Sequence, residues 1–185
     1  MPSRREPNSG NVDATVLDGT ARGVELVVER RAASGLTGWV GYAYGRTRYR
    51  DSTTGESFDG DFDQRHTLNV FVQQRLSFRT AVSMKLRIGS NFPLVGYFSG
   101  TMDDLRLGSE RNRVRLPLYS RLDVRANRTF TFDRRRLTIF IELMNALDHE
   151  NISQSDGAIR PTLQATGIAQ KLIPRVPSLG MLIEF

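Results

Sequence analysis

The chain has 185 residues, enough for one domain with a sizeable core, and no cysteine, which excludes a disulfide framework and a thiolate metal site. Its net charge is +6, with a pI near 10.3, and this raises a nucleic-acid reading. Against it, all cations except Lys85 and Lys171 are arginines scattered through alternating segments and turns, with no basic tract, zinc spacing or helix-turn-helix pattern, so no nucleic-acid partner is expected.

Residues 1–18 are polar and rich in Pro, Gly and Asn, which predicts an N-terminal loop. Met1 to Arg5 lead into polar sequence with no apolar signal-peptide region. Nothing there would export the chain, so an envelope protein with this sequence is expected to be a fragment of a longer one.

Seven strand candidates follow, at 19–31, 35–49, 64–76, 79–91, 118–132, 135–147 and 176–185, with hardly any helical periodicity. Several alternate cleanly. Leu68, Val70, Val72 and Leu76 oppose Asn69, Gln73 and Arg75. Val82, Met84, Leu86 and Ile88 oppose Ser83, Lys85 and Arg87. Leu122, Val124 and Ala126 oppose Arg121, Asp123 and Arg125, and Leu137, Ile139, Ile141 and Leu143 share a face opposite Glu142. The richest apolar run, Leu137 to Met144, is broken by Thr138 and Glu142, far short of the roughly 18 residues that a membrane helix needs.

Tight connections at 32–34, 77–78 and 133–134 alternate with long ones at 50–63, 92–117 and 148–175. Short turns at one end and long loops at the other are the pattern of an outer-membrane barrel with periplasmic turns and external loops. In that scheme Phe78, Phe130, Phe132 and Phe185 fall at the periplasmic end, and Tyr49, Phe92 and Tyr119 near the outer end, as interfacial girdles. The last segment alternates as Leu179, Met181, Ile183 and Phe185, a greasy stripe ending on an aromatic carboxyl terminus. The predicted fold is therefore all-β: an antiparallel meander of about seven long strands, a partial transmembrane barrel over residues 19–185. Leu68, Val70, Met84, Leu86, Ile139 and Ile141 are expected to face lipid. Lys85, Arg87, Arg121, Asp123, Arg125 and Glu142 are expected to face the lumen, with Arg125 paired to Glu142 across the strands.

Chemistry-bearing motifs are absent. Asp61, Asp63 and His66 invite a metal or acid–base reading, yet the only other histidine, His149, lies in a different long loop. No serine sits in a nucleophile elbow and no glycine cluster has phosphate-loop spacing. No catalytic residue, cofactor or metal is expected. Arg106, Arg111, Arg113 and Arg115 of the second long loop are candidates to meet an anionic ligand or lipopolysaccharide phosphates.

Five stretches carry a resemblance: Gly23-Val24-Glu25-Leu26; Phe62-Asp63-Gln64-Arg65-His66-Thr67-Leu68-Asn69-Val70; Arg115 to Arg125 (RLPLYSRLDVR); Glu142-Leu143-Met144-Asn145-Ala146-Leu147; and Pro177-Ser178-Leu179-Gly180 before Phe185. In this order they resemble the C-terminal part of the barrel of TonB-dependent outer-membrane receptors. The resemblance implies a parent protein in the outer membrane of a Gram-negative bacterium, importing a scarce nutrient of the siderophore, vitamin or saccharide class. It implies as partners the outer-membrane lipid and lipopolysaccharide, the missing N-terminal barrel and plug, and the barrel-assembly machinery. That machinery would read Phe185, Ile183 and Met181 as an assembly signal. It also implies that Asp63 to His66 enter a strand instead of binding metal. Two alternatives remain: a small complete outer-membrane barrel with a structural or adhesive role, and a soluble β-sandwich binding module.

Overall fold

The computed structural model describes residues 17–31, 34–133 and 135–185. It is all-β, with fourteen strands among the described residues: β1 (Leu17–Arg31), β2 (Leu36–Asp51), β3 (Ser57–Asp59), β4 (His66–Arg75), β5 (Thr80–Gly89), β6 (Tyr97–Thr101), β7 (Asp104–Arg111), β8 (Tyr119–Phe132), β9 (Arg135–Met144), β10 (Ile152–Gln154), β11 (Ala158–Ile159), β12 (Ala165–Thr166), β13 (Ala169–Lys171) and β14 (Val176–Glu184). Seven long strands form one antiparallel meander in the order β1-β2-β4-β5-β8-β9-β14, with β3 continuing the β4 side of β2. Residues 1–16 of the N-terminal segment lie outside the described residues; Leu17 and Asp18, expected in a loop, already belong to β1.

Strict alternation fixes the register. Residues directly opposite in an antiparallel pair share a face, so one-residue slips would invert every side chain. Val28, Val40, Val70, Leu86 and Leu122 form one cross-strand row. Gly38, Val72, Met84, Val124 and Leu143 form the next. Val82, Ala126, Ile141 and Leu179 form a third, which reaches β14. This face is mainly apolar in all seven strands, with Arg30, Gln74 and Arg128 on it toward the tight-turn end.

No second layer covers it. Leu26 is 62% exposed, Ile141 59% and Leu179 73%. A soluble sandwich packs such a face against another sheet at about 10 Å. Here the buried apolar cluster lies elsewhere: Leu94, Phe98, Leu105, Leu116, Ala165 and Ile168 come from the second and third long loops. The sheet is an uncovered wall, and the core sits at one end of it.

The tight turns lie at the opposite end. Leu76 and Thr80 close the β4–β5 turn, with Leu76 N–H donating to Thr80 O at 2.9 Å. The β8–β9 turn carries Asp133 at φ 45°, a left-handed conformation that Asp tolerates. Residues 32, 33 and 134 of the other expected turns are outside the described residues. Phe185 lies at this end, with the Arg135 guanidinium 5.6 Å from its ring centroid.

Two expectations need correction. The long connections are not plain loops: they fold as β6-β7, β10-β13 and β11-β12 hairpins plus β3. And although Arg125 does stand opposite Glu142, the two make no ion pair; the guanidinium lies 3.7 Å from the Phe140 ring centroid instead. Within the described residues β1 pairs only with β2, and β14 only with β9, so the sheet is open and no closed barrel forms.

Candidate functional site: the polar sheet face and the loop cap

The polar face gathers Lys85, Arg87, Arg121, Asp123, Arg125 and Glu142 on three neighbouring cross-strand rows. Lys85 opposes Asp123 and Arg87 opposes Arg121. Asp123 chooses a different partner: Arg121 Nε donates to its Oδ1 at 2.8 Å, and the Asn145 N–H donates to the same oxygen at 2.9 Å. Arg87 is left with a like charge opposite it and the Tyr119 ring 5.6 Å away. Phe140, which carries Arg125, stands over the bare Gly180 across from it: a Cβ there would collide with Phe140 Cζ unless the ring moved.

Where β3 gives way to β4 the ladder on β2 is interrupted, and Asp63 mends it. Gly60 N–H bonds to Thr47 O and Gly45 N–H to Arg65 O, but the Thr47 N–H has no backbone acceptor. Asp63 Oδ1 accepts it at 2.6 Å. Its other oxygen takes Arg65 Nε at 3.2 Å and an Arg115 guanidinium nitrogen. Asp63 is 2% exposed. Burial alone would raise its carboxyl above the ordinary value, but the Thr47 N–H and the Arg115 guanidinium outweigh it and hold it below. The Asp63 to His66 stretch is thus a strand entry built around a buried anion.

This anion ties the first long loop to the second. Arg115 Nη2 also reaches Asp59 at 3.2 Å, and Arg65 Nη2 reaches it at 2.7 Å. Arg111 Nη2 lies 3.4 Å from Asp61, its guanidinium over the Phe58 ring at 4.7 Å. Tyr97 Oη donates to Glu56 Oε2 at 3.0 Å. The second and third loops join through the apolar cluster, and through Gln154, whose amide pairs with both backbone groups of Val95 at 2.8 and 3.1 Å.

Four buried asparagines staple the loops to the strand ends, a feature that the sequence reading missed. Asn91 Nδ2 donates to Pro117 O, and Asn112 Nδ2 to Asp59 O and Asp61 Oδ1. Asn145 Nδ2 donates to His149 O and Ile173 O, and Asn151 exchanges bonds with Ser120 N and O at 2.8 Å each. The first three have φ between 49° and 59°, where Asn is among the few tolerated residues. An isolated Asn within the last residues of a predicted strand, Asn91 in 79–91 and Asn145 in 135–147, was the available signal that the strands end earlier, at Gly89 and Met144.

Between this cap and the polar face lies a cavity of about 300 Å³, bordered by Phe62, Gln64, Phe92, Ser153, Arg87 and Tyr119 among others. Phe92 and Tyr119 therefore line the cavity instead of forming an outer girdle. The aromatics that share the apolar face near this end are Tyr42 and Tyr44, gathered around His66, with Tyr42 Oη 2.8 Å from His66 Nδ1. The four loop arginines are engaged within the cap: Arg106 with Asp104, Arg111 with Asp61, Arg113 with Glu110, Arg115 with Asp59 and Asp63. His149 Nε2 sits 3.0 Å from Leu118 O, far in the chain from His66. No group of three or more His, Asp or Glu among the described residues could hold a metal ion. The six residues expected on the lipid side, Leu68, Val70, Met84, Leu86, Ile139 and Ile141, all share the uncovered apolar face, as do Met181 and Ile183.

Compared with protein-family profiles, curated proteins and solved structures, the chain finds no match.

Proposed function

We propose that the chain is a membrane-spanning wall segment of an outer-membrane β-barrel, the C-terminal part of a receptor of the TonB-dependent type that imports a scarce nutrient. One observation carries the reading: seven long strands expose a broad, mainly apolar face with no layer over it, while the buried core is confined to loops at one end. A bilayer is a medium that leaves such a face uncovered by protein yet removed from water. The strands of nine to sixteen residues match or exceed the roughly nine to eleven needed to cross it at a tilt.

The two open sheet edges support a larger barrel in the parent, because an exposed edge is an aggregation hazard that a closed barrel removes. In that arrangement the polar face lines the lumen, the cap is extracellular, and the tight turns are periplasmic. The apolar stripe of Met181, Ile183 and Phe185 is then placed to be read by the assembly machinery through strand addition. The test is fractionation of the full-length parent in a Gram-negative host, with heat-modifiable gel migration as the folding readout and energy-dependent nutrient uptake as the functional one. Recovery in the soluble fraction, folded without detergent, would overturn the membrane reading. Outer-membrane recovery with uptake unaffected by an uncoupler would overturn the import reading alone.

A further inference from the structure

We propose that the cavity beneath the loop cap binds a small organic anion bearing one flat apolar ring, its charge facing Arg87 and its ring against Phe62 and Phe92. The volume sets the scale. A closed cavity of roughly 150 Å³ accepts benzene; about 300 Å³, open on one side, therefore has room for one ring with a carboxylate or phosphate attached.

The lining sets the chemistry. Arg87 borders the cavity with no acid partner among the described residues, since Asp123 is committed to Arg121. A guanidinium held by nothing but an aromatic face keeps its bidentate fork free for an oxyanion. The cap's own arginines are engaged by Asp59, Asp61, Asp63, Asp104 and Glu110, so they do not compete for the anion, and Asp61, the one acid bordering the cavity among the described residues, is itself answered by Arg111 and the Asn112 amide. Phe62 is 86% exposed at the rim, yet stands edge-on to Phe92 with ring centroids 6.2 Å apart. Two perpendicular rings at a cavity mouth offer an edge and a face to a third ring. Ser153, also bordering the cavity, has a hydroxyl oxygen without a hydrogen-bond partner. Gln64 adds an amide on the same side.

Binding rests on this cavity alone; that the bound anion is cargo rests on the import reading above. The experiment titrates fluorobenzoate into the whole chain, refolded in detergent micelles, and follows the ligand by fluorine NMR. The expected result is saturable binding that phenyl phosphate displaces and benzyl alcohol displaces at least about tenfold more weakly, since the charged contact is missing. Arg87→Gln should weaken binding about tenfold or more, Arg87→Lys less, because charge survives without the fork. Phe62→Ala, an exposed ring whose substitution is checked for an unchanged fold by circular dichroism, should weaken it as well. Absence of saturable binding, or equal affinity in wild type and Arg87→Gln, would overturn the proposal. The membrane reading is judged separately by repeating the refolding without detergent. A chain that folds there and still binds through Arg87 removes the membrane and keeps the site; one that needs detergent but ignores fluorobenzoate does the reverse.

Discussion

Replacing Ile141 with Arg distinguishes a lipid-facing wall from a water-facing one. Ile141 sits mid-strand in β9, opposite Ala126 and Leu179 on the apolar face, and is 59% exposed. At a water-exposed site a substitution of this kind shifts stability by about 0.5 kcal/mol or less. At the bilayer midplane an outward Arg costs about 2–4 kcal/mol, or roughly a 30- to 700-fold change in the folded population. Ile139 is a weaker probe than its neighbour, because Arg128 already stands opposite it on the same face. Thr138→Arg is the control on the polar side, where the loss is one Thr129–Thr138 hydroxyl contact of 3.0 Å, roughly 0.5–1.5 kcal/mol. The assay is urea titration of the parent refolded into lipid vesicles, scored by heat-modifiable migration. A cost for Ile141→Arg no greater than that for Thr138→Arg would refute the lipid-facing assignment.

Asp63 should make the cap acid-sensitive. Its carboxyl is held below its ordinary value in the folded chain, so its stabilisation is fully present above the unfolded value near 4 and is lost as pH falls below that. Hydrogen exchange at the Thr47 amide should accelerate over that window in wild type and lose its pH dependence in Asp63→Asn. Asp63→Ala strands Arg115 and Arg65 without their buried acid and should cost about 3–5 kcal/mol in cap stability, read as protease sensitivity of residues 92–117. Gly180→Ala should displace the Phe140 ring and loosen the Arg125 contact, a loss of roughly 0.5–1 kcal/mol that Gly180→Ala no longer adds in a Phe140→Ala background; an unchanged urea midpoint in the single variant would contradict the close approach. Deleting Phe185 from the parent should lower its outer-membrane level, with protein retained in the periplasm. Normal levels would leave Phe185 as an interfacial aromatic beside Arg135.

The long strands were legible because each writes its environment at a period of two. Leu68, Val70 and Val72 against Asn69 and Gln73 can be read one strand at a time, and the register of Arg125 with Glu142 follows from parity and the turn at 133–134. The cap was not legible, because its order comes from contacts between loops. Leu94, Leu105 and Leu116 come from one connection and Ile168 from another, and no strand or helix period links them; they converge only when the two connections fold over each other. β6 and β7 hide in a stretch whose Gly and Asp residues read as loop, with Gly100 at φ 94° inside β6 and the two residues Met102-Asp103 making the turn between the strands. The Asn91, Asn112 and Asn145 staples depend on left-handed backbone and on carbonyls up to 61 residues away. Within the candidate site, parity placed the charged residues on one face. Which acid pairs with which base is a rotamer choice, and this is why Arg125 turned to Phe140 and Arg87 was left open.

The two halves of the molecule are stabilised by different means. The cap is held by contacts of its own: an apolar cluster, a buried carboxylate answered by two guanidinium groups, and asparagine amides that satisfy loop carbonyls. The sheet has its backbone ladders and cross-strand pairs, but gains nothing from burying Leu26, Ile141 or Leu179 against protein. Backbone pairing alone contributes modestly, since it replaces hydrogen bonds to water, and it must offset about 1–2 kcal/mol of backbone entropy per ordered residue. The medium over the apolar face therefore decides whether the sheet is the stronger or the weaker half. In water the face is a penalty that invites edge pairing and aggregation. In a bilayer, breaking any ladder bond leaves a polar group in hydrocarbon, and the same strands become the most secure part of the chain. A sequence that spends its apolar residues on an uncovered face, and its most closely satisfied polar groups on the cap above it, suits a protein whose strands stand in lipid and whose loops stand in water.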